Sequence, residues 1–274
     1  MSSKFAPVMV HARDLDDCWF MLLDYLFKFG REYKIDEGSY AGQKRLTFDF
    51  ISGFIDYPHS RPMAPQIPET STLPPPTTDD EIQQYFANYL MNSELAENEE
   101  YKYATWITGG NYELPKATIV FNGMDADYEM SWEDVATVTV PNQIDWIIQH
   151  FKEKGYGNAH CYIQIGYPES NFAYDVPYSN ENERRTSPCL RGLDFRVVDG
   201  ELLTHVIYRS WDLVGGWPTN MGGFALLNQY VTEHLEGVKP GPLAFSCKDL
   251  HSYSHALTYL EARLGRSYEE HKTG

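Results

Sequence analysis

A cysteine and a group of polar residues are spaced in this chain so that they could carry out nucleophilic chemistry. Cys189 is followed some twenty residues later by Arg209, Ser210 and Asp212. A thiolate is a soft nucleophile, but an ordinary thiol is only a few per cent ionised at neutral pH. A neighbouring Arg209 would favour the thiolate and could also bind a phosphate through two hydrogen bonds. The pattern therefore indicates a nucleophile beside an anion site.

Two predicted strands bring these residues together. Leu193–Val198 and Leu202–Tyr208 are rich in β-branched and aromatic residues. The dipeptide Asp199-Gly200 between them is a strong signal for a two-residue hairpin. Cys189 therefore enters one strand and Arg209 leaves its partner, so the two residues are expected to be neighbours.

A polar loop and a helix are predicted after the second strand. Gly215, Gly216 and Pro218 indicate the loop, and apolar residues recur at helical spacing from Phe224 to Leu235. Asn220 stands where a helix N-cap would be, which is one interpretation of this residue.

Three ordered motifs resemble those of the thymidylate synthase and pyrimidine hydroxymethylase family. They are PCL from Pro188, YRSWDLVGGWPTNMGGFALL from Tyr208, and LHSY from Leu250, which is similar to the family's late H-x-Y motif. The resemblance implies an α/β (α+β) fold with a large mixed β-sheet backed by helices, and a homodimer formed through that sheet. A chain of 274 residues with 42% hydrophobic content can bury one large core, so one domain over residues 1–274 is expected.

The resemblance also implies which residues do the chemistry. Carbon C5 of a pyrimidine is not nucleophilic until something adds at C6, and Cys189 would make that addition. Tyr103, within YKYA, resembles the tyrosine of the proton relay at C5. Asn220 would pair with O4 and N3–H of uracil, and relatives specific for cytosine carry aspartate at that position. The other polar residues are assigned in the same way: Arg209 and Ser210 to the phosphate, Asp212 and Gly216 to the reduced folate, His251 and Tyr253 to the sugar 3'-hydroxyl.

The chain departs from the family at two sites. The arginine pair that the neighbouring subunit lends to the phosphate is missing, and Arg184 and Arg185 appear four residues before the cysteine instead. Either this displaced pair holds the phosphate or the ligand's charged end differs. Further basic candidates are Lys34, Arg45 and His160. The family's catalytic glutamate has only Glu81 and Glu94 as candidates.

Composition and charge exclude several other classes of function. The net charge is −17, with 22 basic against 39 acidic residues, which argues against sequence-independent binding of nucleic acid. No apolar run approaches the roughly 18 residues of a membrane span, and the N-terminus lacks an apolar signal region, so a cytoplasmic protein is expected. Four cysteines without a C-x-x-C pair suggest reduced thiols, and no protein metal is expected.

The motifs together predict transfer of a one-carbon unit from 5,10-methylenetetrahydrofolate to C5 of a pyrimidine nucleoside monophosphate, most simply dUMP to dTMP. One alternative is a hydroxymethylase acting on dUMP, dCMP or CMP, in which water quenches the exocyclic methylene. Another is a catalytically inactive relative that binds only a nucleotide or a protein partner.

Overall fold

The computed structural model describes residues 7–36, 40–97, 99, 101–121, 128–167 and 187–269. The helices are α1 (Leu15–Phe29), α2 (Asp79–Tyr85), α3 (Ala104–Ile107), α4 (Gln143–Lys154), α5 (Trp217–Glu233) and α6 (Leu257–Leu264). The strands are β1 (Val8–Ala12), β2 (Arg31–Lys34), β3 (Lys44–Thr47), β4 (Ile51–Ile55), β5 (Gly110–Phe121), β6 (Tyr128–Val140), β7 (Tyr162–Gln164), β8 (Leu190–Val198), β9 (Glu201–Tyr208), β10 (Trp211–Asp212), β11 (Lys239–Cys247) and β12 (Leu250–Tyr253).

The largest sheet has six strands in the order β1, β4, β11, β9, β8, β7. It is mixed, because β1 and β4 run parallel, as do β11 and β9, while the other neighbours are antiparallel. Helices α1 and α5 pack against it, and their apolar residues join one buried cluster that runs from Val8 to Tyr268. The predicted large mixed sheet backed by helices is confirmed.

A smaller, four-stranded sheet contains residues of two of the polar motifs. Its order is β10, β12, β3, β2, with β10 parallel to β12. Asp212 pairs with His251 in this register, so two motifs that are far apart in the chain become neighbours. Strands β5 and β6 form a separate hairpin.

The predicted hairpin between β8 and β9 is confirmed. Asp199 and Gly200 have φ of 51° and 79°, the left-handed conformation that a tight two-residue turn of this kind needs at both positions. The pairing runs on to the far end of the two strands, where the Arg209 amide donates to the Cys189 carbonyl at 2.9 Å. The sequence pattern thus correctly placed the thiol beside the arginine.

The interpretation of Asn220 as an N-cap is wrong. Helix α5 begins a turn earlier, with Gly216 as its cap, and the Asn220 amide donates to the Gly216 carbonyl at 3.0 Å. Pro218 lies within the first turn, where its missing N–H costs no helical hydrogen bond and its fixed φ suits the helix. The Asn220 side chain is therefore free of any capping task.

Helix α2 packs against α5 at two consecutive glycines of α5, Gly222 and Gly223. A Cβ on Gly222 would lie 2.7 Å from the Ile82 side chain, and a Cβ on Gly223 would lie 2.5 Å from the Tyr85 ring. Contacts this short do not occur in proteins, so the two glycines allow Tyr85 to reach over the start of α5. Within the described ranges, no helix is long and apolar enough to cross a membrane.

Candidate active site

Cys189 stands directly before β8 and is half-buried, whereas Cys18, Cys161 and Cys247 are buried. Burial raises the pKa of the Cys189 thiol; the charges of Arg209 and Arg191 oppose this rise, and Asp249 adds to it. Arg209 thus favours the thiolate, as the sequence suggested, but desolvation has the larger effect. Any ligand group that adds positive potential or hydrogen-bond donors near the sulfur would lower this pKa.

Two arginines converge beside the cysteine. Arg209 Nε and Arg191 Nη1 donate to the same Pro188 carbonyl at 3.2 and 3.4 Å, and Arg209 Nη2 donates to the Ser187 carbonyl at 2.9 Å. Burial lowers the pKa of Arg191, and the charge of Arg209 lowers it further. Two guanidinium groups at one carbonyl form a concentrated positive site, which suits a phosphate.

The sequence did not indicate a role for Arg191. It stands two residues after Cys189, but Cys189 precedes β8 and the pairing of β8 with β9 is irregular between Leu190 and Gly192, so the two-residue period of a strand does not apply here. The predicted pair Arg184 and Arg185 lies outside the described residues. Lys34 and His160 are exposed, and Arg45 forms an ion pair with Asp249 at 3.1 Å.

Asp249 connects several polar side chains of the site, and the motifs did not indicate this role. Its carboxylate accepts from Thr47 Oγ1 at 2.6 Å and Ser210 Oγ at 2.7 Å, and it pairs with Arg45. Burial alone would raise the pKa of Asp249, but hydrogen bonds from His251, Thr47 and Ser210 outweigh it and hold the pKa below its usual value. Because Ser210 gives its proton to Asp249, it could donate to a phosphate only by turning that proton away.

His251 and Tyr253 lie side by side on β12. His251 is buried, and its Nε2 has no hydrogen-bond partner among the described residues. The Tyr253 ring meets the His251 ring edge-on, with centroids 4.8 Å apart, and Tyr40 lies 4.4 Å from Tyr253 on another side. A buried ring nitrogen without a partner is costly, and a ligand hydroxyl would satisfy it.

Asp212 shapes the loop that leads into α5. Its Oδ1 accepts from the Val214 amide at 2.9 Å and the Gly215 amide at 3.0 Å. A Cβ on Gly215 would lie 2.7 Å from Asp212 Oδ2, so this oxygen faces a surface that has no side chain there. Gly216 follows this loop and is the N-cap residue of α5.

Asn220 has a single orientation set by its neighbours. An indole nitrogen can only donate, so the Asn220 atom that faces Trp211 Nε1 at 2.8 Å is the carbonyl Oδ1. The Tyr208 hydroxyl donates to the same oxygen at 3.3 Å. The amide Nδ2 is therefore the donor end of the side chain. Asn220 lowers the pKa of the buried Tyr85 hydroxyl through a side-chain hydrogen bond, against the larger rise caused by burial, and the second N–H of Nδ2 is the group that Asn220 could offer to a ligand.

Tyrosines form one connected cluster around the cysteine. Ring centroids are 5.2 Å apart for Tyr85 and Tyr89, 5.2 Å for Tyr89 and Tyr103, and 6.3 Å for Tyr103 and Tyr208. Burial raises the pKa of each of these hydroxyls above its usual value, so the phenols stay neutral and can donate hydrogen bonds. Tyr103 Oη accepts from the amide of Leu190, the residue after the nucleophile, at 3.4 Å.

Neither glutamate candidate joins this cluster. Glu81 is exposed, and its side chain accepts from the Thr78 amide at 2.8 Å in a capping box at the start of α2. Glu94 is exposed as well, and its carbonyl accepts from Lys102 Nζ at 2.6 Å. In the described ranges, no group of three or more His, Cys, Asp or Glu could hold a metal ion.

The arrangement can support nucleophilic addition to a ring that carries a carbonyl group. A thiol stands beside two cations, and the same region contains an amide NH2 and neutral phenols, which are donors of the kind that stabilise developing negative charge on oxygen. Each of the described residues assigned from the motifs lies in this region or on the strands and loop that frame it.

Comparison with known proteins places the chain in one family. Residues 84–273 match the family model described as thymidylate synthase. A Methanosarcina acetivorans protein with the provisional name of thymidylate synthase is 22% identical over 92% of this chain and 93% of its own length. Thymidylate synthase of varicella-zoster virus (strain Dumas) is 31% identical over 39% of this chain and 40% of its own, and the Homo sapiens enzyme is 35% identical over 29% and 25%. Because the family match covers most of the chain, the protein belongs to the thymidylate synthase family.

Proposed function

We propose that the protein transfers a one-carbon unit from methylenetetrahydrofolate to C5 of dUMP and releases dTMP. The family binds a pyrimidine nucleotide and a reduced folate. The observation that carries the proposal is the placement of Cys189 beside the converging guanidinium groups of Arg191 and Arg209. The cations suit the nucleotide's phosphate, and the thiol stands within their field.

The nucleophilic step uses groups that surround Cys189. The thiolate forms a bond from sulfur to C6, and the electron pair of the C5–C6 double bond moves through C4 onto its carbonyl oxygen. The NH2 group of Asn220 is a donor suited to that oxygen, and donors that are already in place lower the barrier to charge development. Tyr103 is a neutral phenol next to Leu190 and suits a proton relay at C5.

The folate end of the site has one suitable acceptor. Asp212 uses Oδ1 to hold the Val214 and Gly215 amides, and Oδ2 makes no hydrogen bond among the described residues. That oxygen lies over Gly215, and a heterocycle with N–H donors would be a suitable partner for it. The reduced folate supplies the one-carbon unit, and Asp212 with Gly216 would orient it.

Product analysis tests the proposal directly. Purified protein is incubated with methylenetetrahydrofolate and dUMP, dCMP, UMP or CMP, and the products are identified by mass spectrometry. The proposal requires dTMP from dUMP together with dihydrofolate, which forms only when the folate also provides the hydride. A 5-hydroxymethyl product without dihydrofolate would select the hydroxymethylase, and nucleotide binding without any product would select the inactive relative.

An Asn220→Asp variant is expected to shift base preference toward cytosine. Wild type should favour dUMP over dCMP by about ten- to a hundredfold in kcat/KM, the effect of one mismatched hydrogen bond. With Trp211 donating to one carboxylate oxygen, the other oxygen of aspartate would accept from the cytosine amino group. Competition assays that contain both nucleotides measure the ratio in each protein. Since Asn220 is not a helix cap, an unchanged ratio would remove it from base reading.

We propose that two copies of the chain dimerise through the six-stranded sheet. Met9 is 73% exposed and alternates with the buried Val8 and Val10, so it lies on the face opposite the helices. Phe54 and Ile207 are partly exposed residues of the same sheet. Light scattering should give a dimer, and Met9→Asp should give a monomer because the charge would be buried in the interface. Trp146→Asp on α4 is the matched control and should remain dimeric; a monomeric wild type contradicts the proposal.

A further inference from the structure

We propose that Trp211, assisted by Tyr208, determines which base the site accepts by holding the Asn220 side chain in one orientation. The inference rests on the proposed function, because it concerns the nucleotide bound at that same site. Trp211 is a positioning residue in this proposal: it contacts Asn220, and Asn220 contacts the base.

The hydrogen bonds from Trp211 and Tyr208 favour one of the two possible orientations of the Asn220 amide. Asn220 Oδ1 has two lone pairs, and Trp211 Nε1 and Tyr208 Oη occupy them at 2.8 and 3.3 Å. A rotation that exchanged Oδ1 and Nδ2 would set the NH2 group against the indole N–H. The Tyr208 hydroxyl could turn its proton to accommodate such a flip, but the indole cannot. Trp211 is therefore the decisive one of the two donors.

Trp211 cannot move away from Asn220 without disturbing the surrounding structure. It is only 3% exposed, and its backbone amide donates to the Asp249 carbonyl at 2.9 Å. Its ring stacks on Tyr208 with centroids 3.8 Å apart and planes 5° from parallel, and it meets the Phe245 ring edge-on at 6.1 Å. The indole N–H is consequently a fixed donor, and the orientation that it selects is fixed with it.

This orientation presents only a donor to the base, so the predicted contact of Asn220 with O4 is possible but the predicted contact with N3–H is not, because Trp211 and Tyr208 already occupy Oδ1. The O4 atom of uracil is an acceptor and suits the Asn220 NH2 group, whereas the exocyclic amine of cytosine would set donor against donor. An asparagine without this constraint could flip and accept from that amine, so it would not discriminate strongly. Base selection in this chain therefore depends on Trp211 as well as on Asn220.

The test compares two tryptophan-to-phenylalanine variants by nucleotide binding, measured calorimetrically with dUMP and with dCMP. Trp211→Phe keeps an aromatic ring against Tyr208 but removes the N–H, and it should narrow the dUMP preference about tenfold, chiefly through tighter dCMP binding. Trp217→Phe is the matched control. Trp217 is fully buried, its ring lies 6.2 Å from that of Trp211, and its Nε1 has no hydrogen-bond partner among the described residues. The control should keep the wild-type ratio.

The outcomes separate this inference from the proposed function. Wild-type protein that binds neither nucleotide overturns both. A wild-type preference for dUMP that survives unchanged in Trp211→Phe, or that narrows equally in Trp217→Phe, overturns the role of Trp211 and leaves the proposed function standing. If Trp211→Phe does not fold, Trp211→Tyr fills more of the space of the indole and offers only a hydroxyl, which can accept as well as donate, so it should also narrow the dUMP preference. An unchanged ratio in that variant overturns the proposal as well.

Discussion

A Cys189→Ser variant is expected to lose product formation while its dissociation constant for dUMP stays within about tenfold of wild type. A serine hydroxyl nearly reproduces the shape of the thiol, so the surrounding contacts of Pro188 and Leu190 are kept. It ionises far less readily and is a far weaker nucleophile at neutral pH. Steady-state formation of dTMP and calorimetric binding of dUMP measure the two quantities separately.

Cys161→Ser provides the matched control. The Cys161 thiol is buried and donates to Asn158 Oδ1 at 3.3 Å, a contact that a hydroxyl can keep. This variant should retain activity.

Because burial raises the pKa of Cys189, wild-type turnover should increase with pH as the thiol ionises. If Cys189→Ser turns over within tenfold of wild type, Cys189 has no part in the mechanism.

Removing charge from the arginine pair is expected to have the second-largest effect. Arg191→Gln and Arg209→Gln should each raise the dissociation constant for dUMP about tenfold or more, since a charge-assisted hydrogen bond contributes roughly 1.5–3 kcal/mol. The double variant should approach about a hundredfold if the two contacts are independent. Binding of deoxyuridine, which has no phosphate, should change little in any of the three proteins.

Two comparisons make the arginine experiment decisive. Arg196→Gln removes the same charge from an exposed position on the same strand and should leave binding of dUMP unchanged. Arg184→Gln and Arg185→Gln test the displaced pair suggested by the sequence. If these two variants weaken dUMP binding while Arg191→Gln does not, the phosphate is held by the displaced pair and the role of Arg191 is refuted.

Local signals in the sequence predicted local structure well. The Asp199-Gly200 turn was predictable because few dipeptides adopt positive φ at both positions. This turn sets the register of β8 against β9, and that register brings Cys189 to Arg209. Helix α1 is equally legible in the sequence, because Leu15, Trp19 and Leu22 recur at helical spacing and all three are buried. The start of α5 was not, because Gly216 caps it without a side chain and the usual polar cap signal is absent.

Contacts between distant segments could not be predicted in the same way. Asp249 binds Thr47, which lies 202 residues away in the chain, and nothing in either local pattern indicates the other. Trp211 lies within the second motif, but the resemblance assigned it no role. Its hydrogen bond to Asn220 depends on how β10 meets α5, which only the folded chain determines.

The contact between α2 and α5 has a consequence for how substitutions in this protein should be interpreted. Gly222 and Gly223 are assigned no role in ligand binding, yet a methyl group at either one would push against Ile82 or Tyr85 and move the tyrosine cluster. In a scan of all single substitutions, both glycines should therefore be among the least tolerant positions for activity. Many exposed positions nearer the reacting atoms should tolerate change. Intolerance to substitution at these positions would then report the close packing of two helices. A reader who took every intolerant position for a ligand contact would assign Gly222 and Gly223 to the site wrongly.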